Sequence, residues 1–207
     1  MTKAQIIYED DDVLALNKPA GVLVYDVVPT GGKPAHRLDK DTSGVLLWAK
    51  TDAALEFLQT QFKTRQVKKV YRALVYGVPR VKEGEIDAPI GRSRKHPSKR
   101  LAGDRARGKT REASTHFEVL KSGGGFSYLE LRPLTGRTHQ IRVHLQSLGH
   151  PVVCDRLYAP GRVCPPPLQR QALHALSLEL FLPSGGRIKL EAELPEDLKR
   201  VLANLGF

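Results

Sequence analysis

Two stretches of this chain concentrate side chains that could do chemistry. The first is His36-Arg37-Leu38-Asp39-Lys40-Asp41-Thr42-Ser43-Gly44, which sets carboxylates among polar and turn-forming residues directly ahead of the apolar run Val45-Leu46-Leu47-Trp48-Ala49. A short, nearly continuous apolar run reads as a buried sheet strand, so whatever precedes it is held against a rigid edge. Asp39 then reads as a positioned acid. The plainer reading is turn chemistry, since Asp and Ser in turns also bond their own backbone. A sugar hydrolase using Asp39 with Asp41 is a weaker reading, because neighbouring turn positions rarely face one bond from opposite sides.

The second stretch is Leu134-Thr135-Gly136-Arg137-Thr138-His139-Gln140-Ile141-Arg142-Val143-His144, with two arginines and two histidines around an expected helix start. A helix N-terminus with arginine nearby attracts anions. The alternative for any one of these residues is a solvated helix face. The helix is expected over Thr138 to Leu148, with Thr138 as N-cap and Ile141, Leu145 and Leu148 on one face. Gly149 then serves as a stop, followed by Pro151. On this spacing Arg142 lies beside the apolar stripe and not within it.

Charge adds a third feature. The 207 residues carry 33 Lys and Arg against 22 Asp and Glu, a net charge of +11. Between Arg92 and Arg111 stand Arg92, Arg94, Lys95, Lys99, Arg100, Arg105, Arg107, Lys109 and Arg111 against Asp104 alone, so +8 of the balance falls in one segment. Gly, Pro and Ser are frequent there and apolar periodicity is lacking, which predicts an exposed loop whose crowded charge needs a polyanion. RNA or DNA is the expected partner, with Lys99, Arg100, Arg105 and Arg107 as contacts and with binding that weakens steeply in salt.

Other classes are disfavoured. No apolar stretch approaches a membrane span, and Met1 to Gln5 leads into an apparent strand without a signal sequence, so the cytoplasm is expected. Cys154 and Cys164 are too few for a disulfide framework and are expected to be free thiols. No histidine makes a familiar ligand spacing with either cysteine, and His139 and His144 lack the HExxH setting, so no metal is expected.

The elements that must position these residues read as sheet-rich. Ile6-Ile7-Tyr8 and Val13-Leu14-Ala15-Leu16 flank an acidic turn as a hairpin, and Asn17 to Gly21 turns the chain toward Val22-Leu23-Val24. Thr51 caps a helix to Lys63 with Leu55, Leu58 and Phe62 on one face. Strands are expected over Val70 to Tyr76, Thr115 to Leu120 and Phe126 to Leu131, the last two joined across Gly123-Gly124-Gly125. Leu173 to Leu180 and Arg187 to Leu194 frame a further turn, and Pro195 opens a terminal helix. The fold class is α+β, with a mixed, mainly antiparallel sheet and flanking helices, in one bilobed domain over residues 1–207.

At this point the motifs resemble a known family. His36-Arg37-Leu38-Asp39 with Thr42-Ser43-Gly44, then Lys69-Val70-Tyr71-Arg72-Ala73 and Gly77, then Thr135 to His144, match in order and spacing the RluA family of pseudouridine synthases. Gly149-His150-Pro151 with Asp155 and Tyr158, and Leu173-His174-Ala175, resemble its later motifs. The resemblance implies isomerisation of uridine in RNA to pseudouridine, with no cofactor. It implies that Asp39 is the essential carboxylate, as nucleophile or as base toward the sugar. Tyr71 falls where a tyrosine packs on the base and helps remove its C5 proton, and Arg142 where a basic residue pairs with the aspartate. Arg37 would fill the stack vacated by the flipped base, His36 would assist it or order the loop, and Arg137 would contact the substrate.

Many members of that family carry an N-terminal S4 RNA-binding domain, and this chain has no room for one ahead of its first motif. The resemblance therefore points to tRNA, 23S ribosomal RNA or both as substrate, with no obligate protein partner and a monomer sufficient. The reading of a different class is an RNA-binding or RNA-chaperone protein that kept the scaffold and lost catalysis.

Overall fold

The run Ser43–Ala49 is buried at every residue, so both faces of this strand are covered. A computed structural model describes residues 4–27, 31–106 and 108–207. In chain order the strands and helices are β1 (Gln5–Glu9), β2 (Val13–Lys18), β3 (Lys33–Pro34), β4 (Ser43–Ala49), α1 (Asp52–Lys63), β5 (Lys68–Tyr76), β6 (Glu83–Asp87), β7 (Ile90–Arg92), β8 (Arg100–Ala102), β9 (Thr110–Arg111), β10 (Ser114–Gly123), β11 (Phe126–Pro133), α2 (Gln140–Ser147), β12 (Leu173–Phe181), β13 (Arg187–Glu191) and α3 (Glu196–Asn204). Among the described residues no helix is long and apolar enough to cross a membrane. The α+β class with a mixed, mainly antiparallel sheet is what the structure has.

The chain forms two compact units, one of residues 1–70 and 174–195, the other of residues 71–173 and 196–207. In the first, β1 pairs antiparallel with β2 and β2 with β4. β12 joins β4 in parallel and β13 returns antiparallel on β12. This mixture follows from the connection: β12 comes from a distant part of the chain and so is free to run alongside β4. Helix α1 is capped as expected, with the Thr51 side chain accepting from Ala54 N at 3.1 Å. It lays Ala54 and Leu58 on a core with Val13, Val45, Leu47 and Leu178. The turn after β2 leads into a single 3-10 turn over Val24–Asp26.

In the second unit β5, β11, β10 and β6 form an antiparallel sheet, with β10 and β11 as the expected hairpin. Three expectations need correction here. The basic segment is not a plain loop: β8, β7 and β9 form a small antiparallel sheet, Ile90 pairing with both Ala102 and Arg111. Its apolar residues are too few to show a period, yet Ile90 and Ala102 reach a small core with Ala113, Val143 and Tyr158. Helix α2 begins at Gln140, not Thr138, with His139 at the N-cap in a left-handed conformation (φ 59°) and no side-chain cap. Cys154 and Cys164 are joined in a disulfide, their Cα atoms 5.1 Å apart. The fold between them explains it: the Asp155 carboxylate accepts from Leu157 N and Tyr158 N at 2.9 and 3.0 Å, curling the chain back on itself.

Candidate active site

Asp39 lies in the first unit, half-buried, on the connection from β3 to β4. Leu38 beside it is buried and Arg37 is exposed, so the loop has an inward and an outward side. Its backbone is fixed by main-chain bonds: Thr42 N donates to Asp39 O at 3.1 Å, and Gly21 N donates to Lys40 O at 3.0 Å. Where the loop enters β4, the buried Ser43 hydroxyl donates to His174 Nδ1 at 2.9 Å, and His174 Nε2 donates to Ala192 O at 3.1 Å. The next residue must be glycine. Gly44 has φ +119°, and a Cβ there would meet Ala175 O at 2.1 Å, so the close parallel approach of β12 requires its absence.

Lys18 anchors the loop and was missed in the sequence, since Asn17 to Gly21 read as a turn and nothing more. Its side chain is fully buried, and Nζ donates to Pro19 O at 2.7 Å, Val22 O at 3.0 Å and Lys40 O at 2.9 Å. A buried ammonium is tolerable only where carbonyl or carboxylate oxygens take its protons. The bond to Lys40 O ties it to the peptide next to Asp39. The signal available was a lysine immediately before Pro19, inside an otherwise apolar strand.

His36 orders the same loop. Leu47 N donates to His36 Nε2 at 3.0 Å, so this nitrogen holds a lone pair, and the ring packs on Phe62 with centroids 4.9 Å apart. Burial first, and the positive charge of Lys69 second, push the His36 pKa down from 6.5 to about 4. The ring is therefore neutral at physiological pH and serves as an acceptor for β4.

In the second unit Tyr71 lies half-buried on β5, opposite Leu131 of β11. Arg142 is on α2 and is buried. Its guanidinium grips Asp155 in a two-pronged pair, Nε to Oδ2 at 2.6 Å and Nη2 to Oδ1 at 2.9 Å, with Asp155 itself inaccessible. The Tyr158 ring lies 5.1 Å from Arg142 Cζ. Such a fork fixes the guanidinium plane as a lysine could not. Asp155 is thus the missed partner of this helix, thirteen residues away in sequence.

The start of α2 is secured by side chains in place of a cap. Gln140 Oε1 accepts from Thr135 Oγ1 at 2.7 Å and from Arg137 N at 2.9 Å, while Nε2 donates to Ser114 O at 2.9 Å and to Thr115 Oγ1 at 3.0 Å. Thr115 passes the bond on to His144 Nδ1 at 2.9 Å, and His144 Nε2 donates to Ala88 O at 2.9 Å. Burial lowers the pKa of His144, so this histidine is a neutral structural link. Arg137 is half-buried and its Nε donates to Glu112 O at 3.0 Å.

Of the basic residues, Arg105 is exposed, while Lys99 and Arg100 are half-buried at the start of β8. The Arg100 Nη1 donates to Pro97 O and Lys99 O, each at 3.2 Å. Arg107 lies outside the described residues. Of those described, only Arg100 lies on a strand, while Arg105 ends a 3-10 turn over Gly103–Arg105.

The comparisons with known proteins give the class of this α+β chain. A family model described as RNA pseudouridylate synthase matches residues 27–147, a span holding both the Asp39 loop and α2. The chain is 39% identical to an uncharacterized RNA pseudouridine synthase of Synechocystis sp., over 97% of this chain and 68% of that one. It is 40% identical to ribosomal large subunit pseudouridine synthase D of Nitrosomonas europaea, over 96% of this chain and 64% of the relative. The solved structure of human RNA pseudouridylate synthase domain containing 4 matches with a TM-score of 0.81 and 29% identity, over 97% of this chain and 92% of the other.

The chain belongs to the RNA pseudouridine synthase family. It is an RNA pseudouridine synthase, an isomerase.

Proposed function

We propose that the protein converts specific uridines of structured RNA, in tRNA or in large-subunit ribosomal RNA, to pseudouridine through Asp39. The target uridine leaves its stack, because no side chain reaches a ribose inside a helix. Asp39 acts on the sugar as nucleophile or base while the bond from C1′ to N1 breaks. The base turns, C5 bonds to C1′, and the C5 proton is lost with help from Tyr71, which packs on the base. N1 ends protonated, so the reaction is balanced without a cofactor.

Arg142 supplies the fixed positive charge that keeps the reacting carboxylate ionised. Arg37 fills the vacated stack, a role suited to an exposed guanidinium beside the carboxylate loop. His36 orders that loop, Arg137 contacts the RNA, and Lys99, Arg100, Arg105 and Arg107 hold phosphates. The protein works as a single catalytic domain, as a monomer in the cytoplasm. The observation that carries this reading is the Asp39 loop, where the carboxylate of the family motif sits on a backbone held from two sides next to the exposed Arg37.

Two measurements test it. Mapping pseudouridines over tRNA and ribosomal RNA in cells with and without the protein should reveal lost sites in one of these RNAs; an unchanged map contradicts the reading. Replacing Lys99, Arg100, Arg105 and Arg107 together by alanine should flatten the slope of log affinity against log salt by about 3, at about 0.7–0.9 per phosphate contact. An unaltered slope means the basic sheet does not hold phosphate.

A further inference from the structure

We propose that Tyr158 is a positioning residue that couples the basic sheet to Arg142, so that RNA engaged by β8 and the guanidinium on α2 are set as one unit. The inference rests on the role given to Arg142 above. Tyr158 is 8% exposed and meets three different parts of the second unit. Its hydroxyl accepts from Arg100 N at 2.9 Å and bonds His139 Nδ1 at 3.0 Å. Its ring meets His139 edge-on, centroids 5.7 Å apart, and lies 5.1 Å from Arg142 Cζ.

Packing alone would not need this residue type. A phenylalanine fills the same core against Ile90, Ala102 and Val143, whereas a buried hydroxyl must be matched by polar partners. The partners it has are informative. β8 is an edge strand, in the order β8-β7-β9, and edge strands present unpaired N–H groups. Here the N–H of Arg100 is taken by the Tyr158 hydroxyl, which reaches across to His139 at the N-cap of α2.

The same side chain is tied to Arg142 from below. The Asp155 carboxylate that grips Arg142 also accepts from the Tyr158 backbone N–H at 3.0 Å. Tyr158 and Arg142 thus share one anchor, and a shift of β8 reaches the guanidinium through one aromatic ring. His139, held left-handed at the head of α2, closes the link at the other end.

The test uses the full chain and transcripts of tRNA and large-subunit ribosomal RNA carrying 5-tritiated uridine, with tritium release under single turnover and RNA affinity measured separately. Tyr158→Phe keeps the ring and removes the hydroxyl. It should lower the rate about tenfold with affinity within twofold of the parent, and Tyr158→Leu should lower it further. Arg142→Ala, run alongside, should release no tritium.

A parental rate in Tyr158→Phe with an inactive Arg142→Ala overturns the coupling and leaves the catalytic reading standing. A loss confined to affinity overturns it equally, since Tyr158 would then serve the basic sheet alone. Full activity in Arg142→Ala overturns the catalytic reading and the coupling with it. Hydrogen exchange on the unaltered protein gives a measurement free of folding defects. RNA should slow exchange over residues 99–102 and 140–147 together, and slowing of 99–102 alone contradicts the coupling.

Discussion

The Asp39 loop and the Arg142 helix each fix one charged side chain, and they do so by opposite means. Asp39 is carried on backbone that is itself gripped, by Lys18 and Gly21 at the Lys40 carbonyl and by Thr42 at its own. Arg142 is gripped through its guanidinium, by the buried carboxylate of Asp155. The first arrangement positions a carboxylate by shaping its loop. The second holds a guanidinium by a two-pronged bond to a buried carboxylate, which is how an arginine survives in an interior that would otherwise reject it.

The contrast predicts different failures. Asp155→Ala should be the most damaging substitution, because it removes the buried carboxylate that grips the Arg142 guanidinium and frees two backbone N–H groups. A loss of about 3–5 kcal/mol is expected, read as a lower denaturant midpoint; a loss below about 1 kcal/mol would mean the pair is not what holds α2. Lys18→Met keeps the volume but takes a donor from three carbonyls, of which Lys40 O retains Gly21 N. It should cost about 3 kcal/mol, one unsatisfied buried group being worth about 1–3 kcal/mol, and activity should fall with it because Lys40 O loses a donor. Parental activity in a folded Lys18→Met protein would show that the loop is held without it.

The smallest effect is one of pH. Unfolded, His36 takes up a proton near 6.5, whereas the folded site resists protonation until about 4. Across that window the unfolded state binds more protons, so stability conferred by the neutral ring is complete above 6.5 and is lost as pH falls toward 4. Denaturation of the parent and of His36→Gln should diverge least at pH 5 and most at pH 7; parallel profiles would remove His36 from the account.

What the sequence reveals follows the range of the interactions involved. The hairpin β1–β2, the buried strand β4, the Thr51 cap and the hairpin β10–β11 depend on neighbours, and local pattern shows them. Asp39, Tyr71 and Arg142 stand out because their motifs are contiguous. The rest depends on partners far along the chain. His174 meeting Ser43 and Asp155 meeting Arg142 leave no local trace, although each lies in a stretch that resembles the family. The basic segment hid its strands because two- and three-residue strands show no period, and their core contacts lie on Val143 and Tyr158. The start of α2 was misplaced because the chain enters the helix through a left-handed His139 with no side-chain cap, which no Ser or Thr marks. The disulfide was missed because ten residues of spacing say nothing about a loop that curls around Asp155.

The carboxylate of the anchored loop is the group on which the proposed isomerisation depends. Asp39→Asn changes one oxygen for an amide on a backbone held by main-chain bonds, so the fold and the affinity for RNA should stay as they are. Tritium release from 5-tritiated uridine in tRNA and ribosomal RNA transcripts measures the chemistry directly. The account predicts that release falls to background while RNA binding stays within twofold of the parent. Release at the parental rate by a folded Asp39→Asn protein would contradict it.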